Sequence, residues 1–365
     1  MSKTPRVVVC LSGGVDSAVA AHLLRDRGYD VSAITFWFWS FAGAPDYAGA
    51  TKCCSLDTAA LAARELDIPH KEIDASDAFE KLVLEDFVAR YRRGETPNPC
   101  GRCNRHLRFG LALRHAEEHG FDYVATGHHV RLLKEPDGSY SLRRGRDANK
   151  DQTYFLYGLR QADLSRLLFP VGDLTKDDVF AIAKEAGLSA AELPESQDLC
   201  FAVDGETSFL FDEADLRPGP ILATDGRELG THRGLPRYTI GQRRGLGVTS
   251  KRPMFVIDVD FERNALIVGR EADLTATGLT AADASFLTPE PPEDGIRVGA
   301  KIRYRSTATT ATFHRMPEDR FALCFDGPQR AVTPGQLAVL YDGDRLLGGG
   351  TIVRHTACQD SSLSV

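Results

Sequence analysis

Three cysteines pose the first chemical question. Cys100 and Cys103 stand three apart in "TPNPCGRCN", just ahead of a helical pattern, and Cys200 lies far downstream in "ESQDLCF". A zinc site wants four ligands; a lone C-x-x-C is half of one, and no second C-x-x-C or H-x-x-x-H follows at a suitable distance. Redox or sulfur-handling chemistry instead needs a thiolate with a lowered pKa, which a helix start after Pro99 with Arg102 and Arg105 close by would supply. Cys10, Cys53, Cys54, Cys324 and Cys358 read as buried small hydrophobes, as does Cys200 taken alone. Cys53 and Cys54, beside an aromatic and Gly-containing stretch, are the exception that could reach a site.

A second cluster suits phosphate. In "VVVCLSGGVDSAVAAHLL", Cys10 and Leu11 end a strand, Ser12, Gly13, Gly14, Val15, Asp16 and Ser17 form the connection, and a helix follows. Glycines let backbone amides converge on an anion, two hydroxyls add donors, and the helix N-terminus supplies unpaired N–H groups and a favourable dipole. No lysine follows the glycines and the spacing is not G-x-G-x-x-G, so the loop is neither a Walker A nor a dinucleotide type. Asp16 suits either a magnesium ion on the phosphates or an acidic helix cap.

These groups need elements to hold them. From Arg6 to about Asp198, short apolar strands alternate with amphipathic helices, the signature of a parallel sheet covered by helices. Strands are predicted at 6–11, 30–38, 70–74 and 122–128, with helices over "SAVAAHLLRDRG", "LDTAALAARELD" and "CNRHLRFGLALRHAEEHG". Thr175 with Asp178 three residues on predicts a capping box ahead of "VFAIAKEAG". After Cys200 the chain turns to alternating apolar residues and "DG" turns, an all-β texture, and "LTPEPPEDG" (287–295) reads as a break. The expected class is α/β: a nucleotide-binding parallel-sheet domain (1–208), a small mainly β middle domain (209–284) and a β-barrel-like C-terminal domain (285–365).

With 365 residues, two or three domains are expected. No apolar run is long enough to span a bilayer and "MSKTPR" leads straight into a strand, so a cytoplasmic protein is expected. A formal charge of -7 argues against a broad nucleic-acid coat but leaves room for local basic patches. Such patches are Arg102, Arg105 and Arg108; Arg143, Arg144, Arg146 and Lys150; Arg243 and Arg244; and Arg303 and Arg305. The last pair alternates with Ile302 and Tyr304 on a predicted strand, which would put both arginines on one face.

The loop S-G-G-V-D-S resembles the pyrophosphatase-type loop of enzymes that cleave ATP between the α- and β-phosphates. With "TPNPCGRCN", "ATGHH", "NKDQTYFLY", "SQDLCF", "YTIGQRRGLG", "IRYRS", "TPGQ" and "LGGGTI", the chain is similar in order and spacing to the tRNA-specific 2-thiouridylases from about residue 6 to 355. That resemblance implies an adenine nucleotide alpha hydrolase-like fold and ATP-dependent placement of sulfur on the wobble uridine, position 34, of tRNA. It implies ATP and Mg2+, the anticodon stem-loop as partner, and a sulfur donor protein or free sulfide.

Residue by residue, the resemblance implies that Cys10 to Ser17 meet ATP, with Phe36 and Gly127 at the adenine end. Asn98, Pro99 and Cys100 would frame the target base. Cys103 would be the nucleophile and Cys200 the persulfide carrier, able to join as a disulfide in turnover. His128, Lys150, Asp151, Gln152, Arg303, Tyr304 and Gln336 would meet the tRNA. Many members of that family carry an acidic residue where this chain has Cys100. Cys100, Cys103 and Cys200 together could instead hold a 4Fe-4S cluster with one open iron that delivers sulfide. Competing readings are another enzyme of the same loop class, such as a lysidine or 2-thiocytidine synthetase or an amide-forming ligase, and a non-catalytic RNA-binding protein with structural metal-bound cysteines.

Overall fold

The computed structural model describes residues 4–38, 56–194, 199–202, 205–288 and 290–358; Cys53 and Cys54 lie outside them. The chain divides into two compact units, one of Met1–Val83, Cys100–Gly205 and Asp344–Leu346, the other of Leu84–Pro99, Glu206–Gly343 and Leu347–Val365. Among the described residues no helix is long and apolar enough to cross a membrane.

The first unit is built on a five-stranded parallel sheet. Its strands are β1 (Arg6–Cys10), β2 (Asp30–Trp37), β3 (His70–Asp74) and β4 (Tyr123–Thr126), followed, after an antiparallel hairpin of β5 (Val130–Lys134) and β6 (Tyr140–Arg144), by the short β7 (Leu167–Leu168). The order β3-β2-β1-β4-β7 reverses direction between β1 and β4. Ligands in open α/β sheets bind outside the carboxyl ends of the strands at such a switch point, and here those ends are Ser12–Gly14 and Gly127–His129. The sequence did not anticipate the hairpin or β7, whose two residues are too few to carry a period.

Among the described residues the α-helices are α1 (Val15–Asp26), α2 (Leu56–Glu65), α3 (Ser76–Phe79), α4 (Glu85–Arg92), α5 (Pro99–Cys103), α6 (Phe109–Glu118), α7 (Gln161–Leu164) and α8 (Lys176–Glu185), of which α4 belongs to the second unit. Val7, Val9 and Val31 of the sheet, Ala18, Val19 and Leu24 of α1, Ala59 and Ala62 of α2, and Val179 and Ala183 of α8 form one core. Each large apolar side chain so buried contributes about 1.5–3 kcal/mol. The predicted capping box is present: Thr175 accepts from the Asp178 amide and Asp178 accepts from the Thr175 amide. A π-helical stretch, Asn104–Arg108, carries α5 into α6.

In the second unit, β8 (Gly219–Ala223), β9 (Glu228–His232), β10 (Phe255–Asp260) and β11 (Ala265–Gly269) form a sheet in the order β10-β11-β8-β9 around Ile221, Val256, Leu266 and Val268. A closed barrel follows, of β12 (Thr275–Phe286), β13 (Arg297–Lys301), β14 (Thr309–Met316), β15 (Arg320–Arg330), β16 (Leu337–Asp342) and β17 (Arg345–Thr356), shut by pairing β12 to β17. Because β12 is a barrel strand, the barrel begins ahead of the "LTPEPPEDG" at which the sequence placed the division. The chain also visits this unit early: α4 packs Phe87 and Tyr91 on Phe211, and Arg92 pairs with Asp212 and Asp215.

Two expectations fail here. Ile302 to Ser306 is not a strand; β13 stops at Lys301, and Arg303 O accepts from the Ser306 amide at 3.1 Å in a turn, so Arg303 and Arg305 do not share a strand face. Alternating residues imitated a strand where the backbone reverses. Cys324 and Cys358 are not buried hydrophobes but a disulfide, with Cα atoms 5.4 Å apart, joining β15 to the segment after β17.

Candidate active site

The phosphate end is assembled by the loop after β1. Gly13 has a φ of 81°, Gly14 caps α1 from an extended conformation, and no side chain caps that helix end. Its first amides therefore keep the hydrogen-bonding capacity an anion would use. The loop is braced from within: the Ser17 hydroxyl donates to Gly14 O at 2.9 Å and accepts from the Ser12 amide at 3.1 Å. Gly127, at the end of β4, lies on the backbone of this helix start, where a Cβ would come within 2.5 Å of Ser17 N and 2.6 Å of Asp16 C. Only glycine permits that approach, and it places Gly127 beside Asp16 and Ser17. Phe36 is buried on β2 and stacks on Phe38 at 5.8 Å. Cys10 is buried, and desolvation pushes its thiol up to about 12, so it serves the loop as backbone and packing.

Asp16 has partners that the sequence did not reveal. Lys176 Nζ donates to both its oxygens at 2.7 and 2.8 Å, and His129 Nε2 donates to Oδ1 at 3.0 Å. Burial raises the carboxyl pKa, but the hydrogen bond from His129 and the charge and hydrogen bonds of Lys176 outweigh it and hold the group below the ordinary carboxylate value. Lys176 is 8% exposed and His129 1%. His129 is clamped by Gln152, whose side chain accepts from the His129 amide at 2.9 Å, and its Nδ1 is buried without a hydrogen-bond partner among the described residues. The helix-cap reading of Asp16 fails, because Gly14 is the cap and the Asp16 carboxylate turns to Lys176 and His129; an ion pair with Lys176 now stands beside the magnesium reading.

The thiols form the other end. Cys103 closes α5 and is 8% exposed, while Cys100 and Cys200 are half-buried, and all three are held as thiols. The expected accessible thiolate is not what Cys103 presents, because at the end of α5 its side chain is buried. Arg102, expected to act on the thiols, donates from Nε to Leu82 O at 2.6 Å, and the Arg105 guanidinium lies 5.7 Å from the centre of the Tyr157 ring. Beside Cys200, Phe201 meets Phe79 at 6.1 Å, Phe79 stacks on Phe38, and the Arg108 guanidinium lies over Phe38. Three cysteine sulfurs are the right donors for an iron–sulfur cluster, yet among the described residues no three His, Cys, Asp or Glu side chains converge on one point. As arranged, the residues do not fit a preformed 4Fe-4S site, and no step is assigned to one.

Comparison with known proteins decides among the enzymes that share this loop. The tRNA methyl transferase HUP domain family matches residues 5–204, the corresponding PRC-barrel domain family residues 207–270, and the aminomethyltransferase beta-barrel domain family residues 276–352. The tRNA-specific 2-thiouridylase MnmA of Moorella thermoacetica is 47% identical over 94% of this chain and 98% of its own length. That of Roseiflexus castenholzii is 43% identical over 96% and 99%. The chain belongs to the tRNA-specific 2-thiouridylase family. Solved structures align loosely: a 4-thiouridine synthetase–RNA complex with bound ATP has a TM-score of 0.33 and 18% identity over 52% of this chain and 42% of that one.

The residues that the 2-thiouridylase resemblance assigned to tRNA have varied surroundings. Asp151 is 4% exposed and accepts from the Gly145 and Thr153 amides and the Thr153 hydroxyl, so its carboxylate shapes the turn rather than facing outward. Gln152 holds His129, as above. His128, half-buried, bonds through Nδ1 to Thr126 Oγ1 at 2.8 Å and packs on Phe109; desolvation first, then the nearby charges of Arg108 and His129, push its pKa down to about 3. Lys150 is half-buried on the segment between β6 and α7, with its amide on Asp147 O. In the second unit, Arg303 donates to Arg330 O at 3.0 Å and Tyr304 lies 5.4 Å from the Lys301 ammonium.

Gln336 reaches the segment ahead of Asn98 and Pro99. Its side-chain amide donates to Thr96 O at 2.8 Å, and the Thr96 amide donates to Pro334 O at 2.8 Å. Gly335, at φ 88°, admits this grip, since a Cβ there would meet Thr96 C at 2.8 Å. The sequence could have suggested a close backbone approach at "TPGQ", but not its partner 240 residues away.

Proposed function

We propose that this protein is an ATP-dependent tRNA-uridine 2-sulfurtransferase that forms 2-thiouridine at the wobble position. The observation that carries this reading is the coexistence, in one α/β unit, of an uncapped glycine-loop helix end and the thiols Cys103 and Cys200, in a chain 47% identical over nearly its whole length to a tRNA-specific 2-thiouridylase. ATP is a substrate, with Mg2+ carried on its phosphates. It supplies AMP as a leaving group for the uracil C2 oxygen. The base must leave its stack in the anticodon loop to be reached, and Asn98 and Pro99, held through Thr96, would frame it.

The chemistry balances with two thiols. A donor loads a sulfane sulfur onto Cys200. The uracil O2 forms a bond to the α-phosphorus as the bond to the β-phosphate oxygen breaks, releasing pyrophosphate. The terminal persulfide sulfur attacks C2, and AMP departs with the C–O bond pair. Cys103 thiolate then attacks Cys200 Sγ, giving the C2 thiocarbonyl and a Cys103–Cys200 disulfide, which an external thiol reductant resets. Lys150, Tyr304 and His128 would line the tRNA, with Asp151, Gln152, Arg303 and Gln336 shaping the segments behind them.

Thiolation of unmodified tRNA under anaerobic conditions, with ATP and a persulfide donor or sulfide, followed by nucleoside analysis, tests the reading. The expected product is 2-thiouridine with one AMP and one pyrophosphate formed per sulfur inserted; lysidine, 2-thiocytidine or no ATP consumption would replace it with a competing reading. Iron and sulfide assay of the same preparation separates the routes: activity of iron-free protein with the persulfide donor supports the persulfide, and activity that requires reconstituted iron and sulfur restores the cluster.

A further inference from the structure

Cys100 is a thiol to which the reaction above gives no task. It shares the five-residue helix α5 with Cys103, and Cys103 keeps helical angles, φ -58° and ψ -47°, where the π-helical stretch takes over. Residues three apart on a helix are neighbours with Cβ atoms about 5–6 Å apart, and a disulfide needs about 3.5–4.5 Å, so one helical turn closes on itself with a small shift. Exposure differs along the set. Cys103 is buried, whereas Cys100 and Cys200 are half-buried. Cys200 lies inside a turn in which the Ala202 amide donates to Leu199 O at 3.0 Å, and its neighbour Phe201 is buried against Phe79. All three thiols belong to the first unit.

We propose that Cys100 is a third catalytic thiol, which resets the enzyme by taking Cys103 out of its bond with Cys200. The assignment rests on the persulfide reading above and deepens it. Cys100 thiolate attacks Cys103 Sγ; the Cys103–Cys200 bond breaks, and its electron pair leaves with Cys200 Sγ as a thiolate ready for the next sulfane sulfur. A dithiol reductant then attacks the half-buried Cys100 Sγ, and the pair of the Cys100–Cys103 bond leaves with Cys103. The second thiol of the reductant closes on the first and expels Cys100, so one dithiol is oxidised for each disulfide reduced. Such exchange runs through three sulfurs in a row, with Cys103 in the middle. It does not need them to surround one point, which among the described residues they do not do. Reductant acting directly would reach Cys200 rather than the buried Cys103, and would leave itself attached to the thiol that has to be reloaded. A helix neighbour outcompetes it because its own attack is intramolecular.

The test maps cysteine links after thiolation by the full chain. Wild type and Cys100→Ser are loaded with sulfane sulfur, freed of donor, and given ATP and unmodified tRNA without reductant. They are then quenched with an alkylating agent and digested with trypsin, which cuts at Arg102 between the two thiols of α5. Wild type should show Cys100 linked to Cys103 with Cys200 alkylated, and C100S should show Cys103 linked to Cys200. With a dithiol reductant present, C100S should turn over about tenfold or more slowly than wild type, since it waits for a bimolecular reduction. Its rate should climb with reductant over a range in which that of wild type is flat. Wild type that keeps the Cys103–Cys200 link, or C100S that matches wild type at every reductant concentration, overturns the assignment. If C100S does not fold, the wild-type map alone decides. Thiolated tRNA formed with no cysteine link in either protein would instead defeat the persulfide reading on which the assignment rests.

Discussion

Around Asp16 the side chains bind one another: Lys176 and His129 on the carboxylate, Gln152 on the backbone of His129, Ser17 on the loop. Around Cys103 and Cys200 the structure supplies thiols, aromatic rings and arginines that reach a carbonyl and ring faces. In the proposed reaction the first end would meet charge that develops without rearrangement, and the second would open and close a covalent bond with a donor, an activated base and a second thiol, and so would gain less from being locked.

Replacing either thiol should show the contrast most strongly. Cys103→Ala and Cys200→Ala should each cut thiolation by about 10³-fold or more, because a covalent step loses its nucleophile or its carrier. tRNA affinity and ATP binding should stay within a few-fold of wild type by filter binding and calorimetry. Retained turnover in either variant would place the sulfur chemistry elsewhere.

Asp16→Asn should act at the other end and through structure as well as charge. Removing one partner of a largely buried pair strands the other, and with Asp16 partly exposed the cost is about 1–3 kcal/mol. Denaturant titration should register it, and ATP turnover should fall with sulfur loading of Cys200 unchanged. A variant as stable as wild type would mean that the Lys176 pair contributes nothing to holding the loop.

Gln336→Ala probes a third place, the grip on Thr96 in the second unit. Losing one hydrogen bond to a carbonyl costs about 1 kcal/mol, so kcat/KM for tRNA should drop about fivefold while KM for ATP stays put. If both parameters moved together, the grip would be supporting the whole chain rather than the base-framing segment.

How much of this was legible in the sequence depended on distance along the chain. The strands ending at Cys10 and Thr126, the Gly-Gly loop and the Thr175–Asp178 box are local patterns whose physics lies within a few residues, and they appear where expected. The Asp16–Lys176 pair spans 160 residues, and Lys176 sits inside a capping motif that already explained its surroundings. The allegiance of Leu84–Pro99 to the second unit was hidden because α4 looks like any amphipathic helix of the first. Arg303 misled for the opposite reason: alternation is local, but whether the backbone continues as a strand depends on barrel neighbours, and β13 ends at Lys301.

The smallest expected effect concerns His128, which adjoins the locked end without joining its ion pairs. Its folded pKa is about 3, below the ordinary histidine value, because burial and the nearby positive groups disfavour the charged ring. Between about pH 6.5 and 3 the unfolded chain therefore binds more protons at this residue than the folded one, so its effect is to lower stability as pH falls through that window and to have none above it. His70, His115 and His232 are depressed in the same direction and share the trend. His128→Gln should flatten the acid limb of a stability-versus-pH curve, measured by denaturant titration from pH 7 to 4, while leaving the slope near pH 8 untouched. An unchanged acid slope would mean that His128 accepts its proton in the folded protein, which would also give it a charge to offer RNA; a flattened slope leaves it a neutral ring whose contribution is shape.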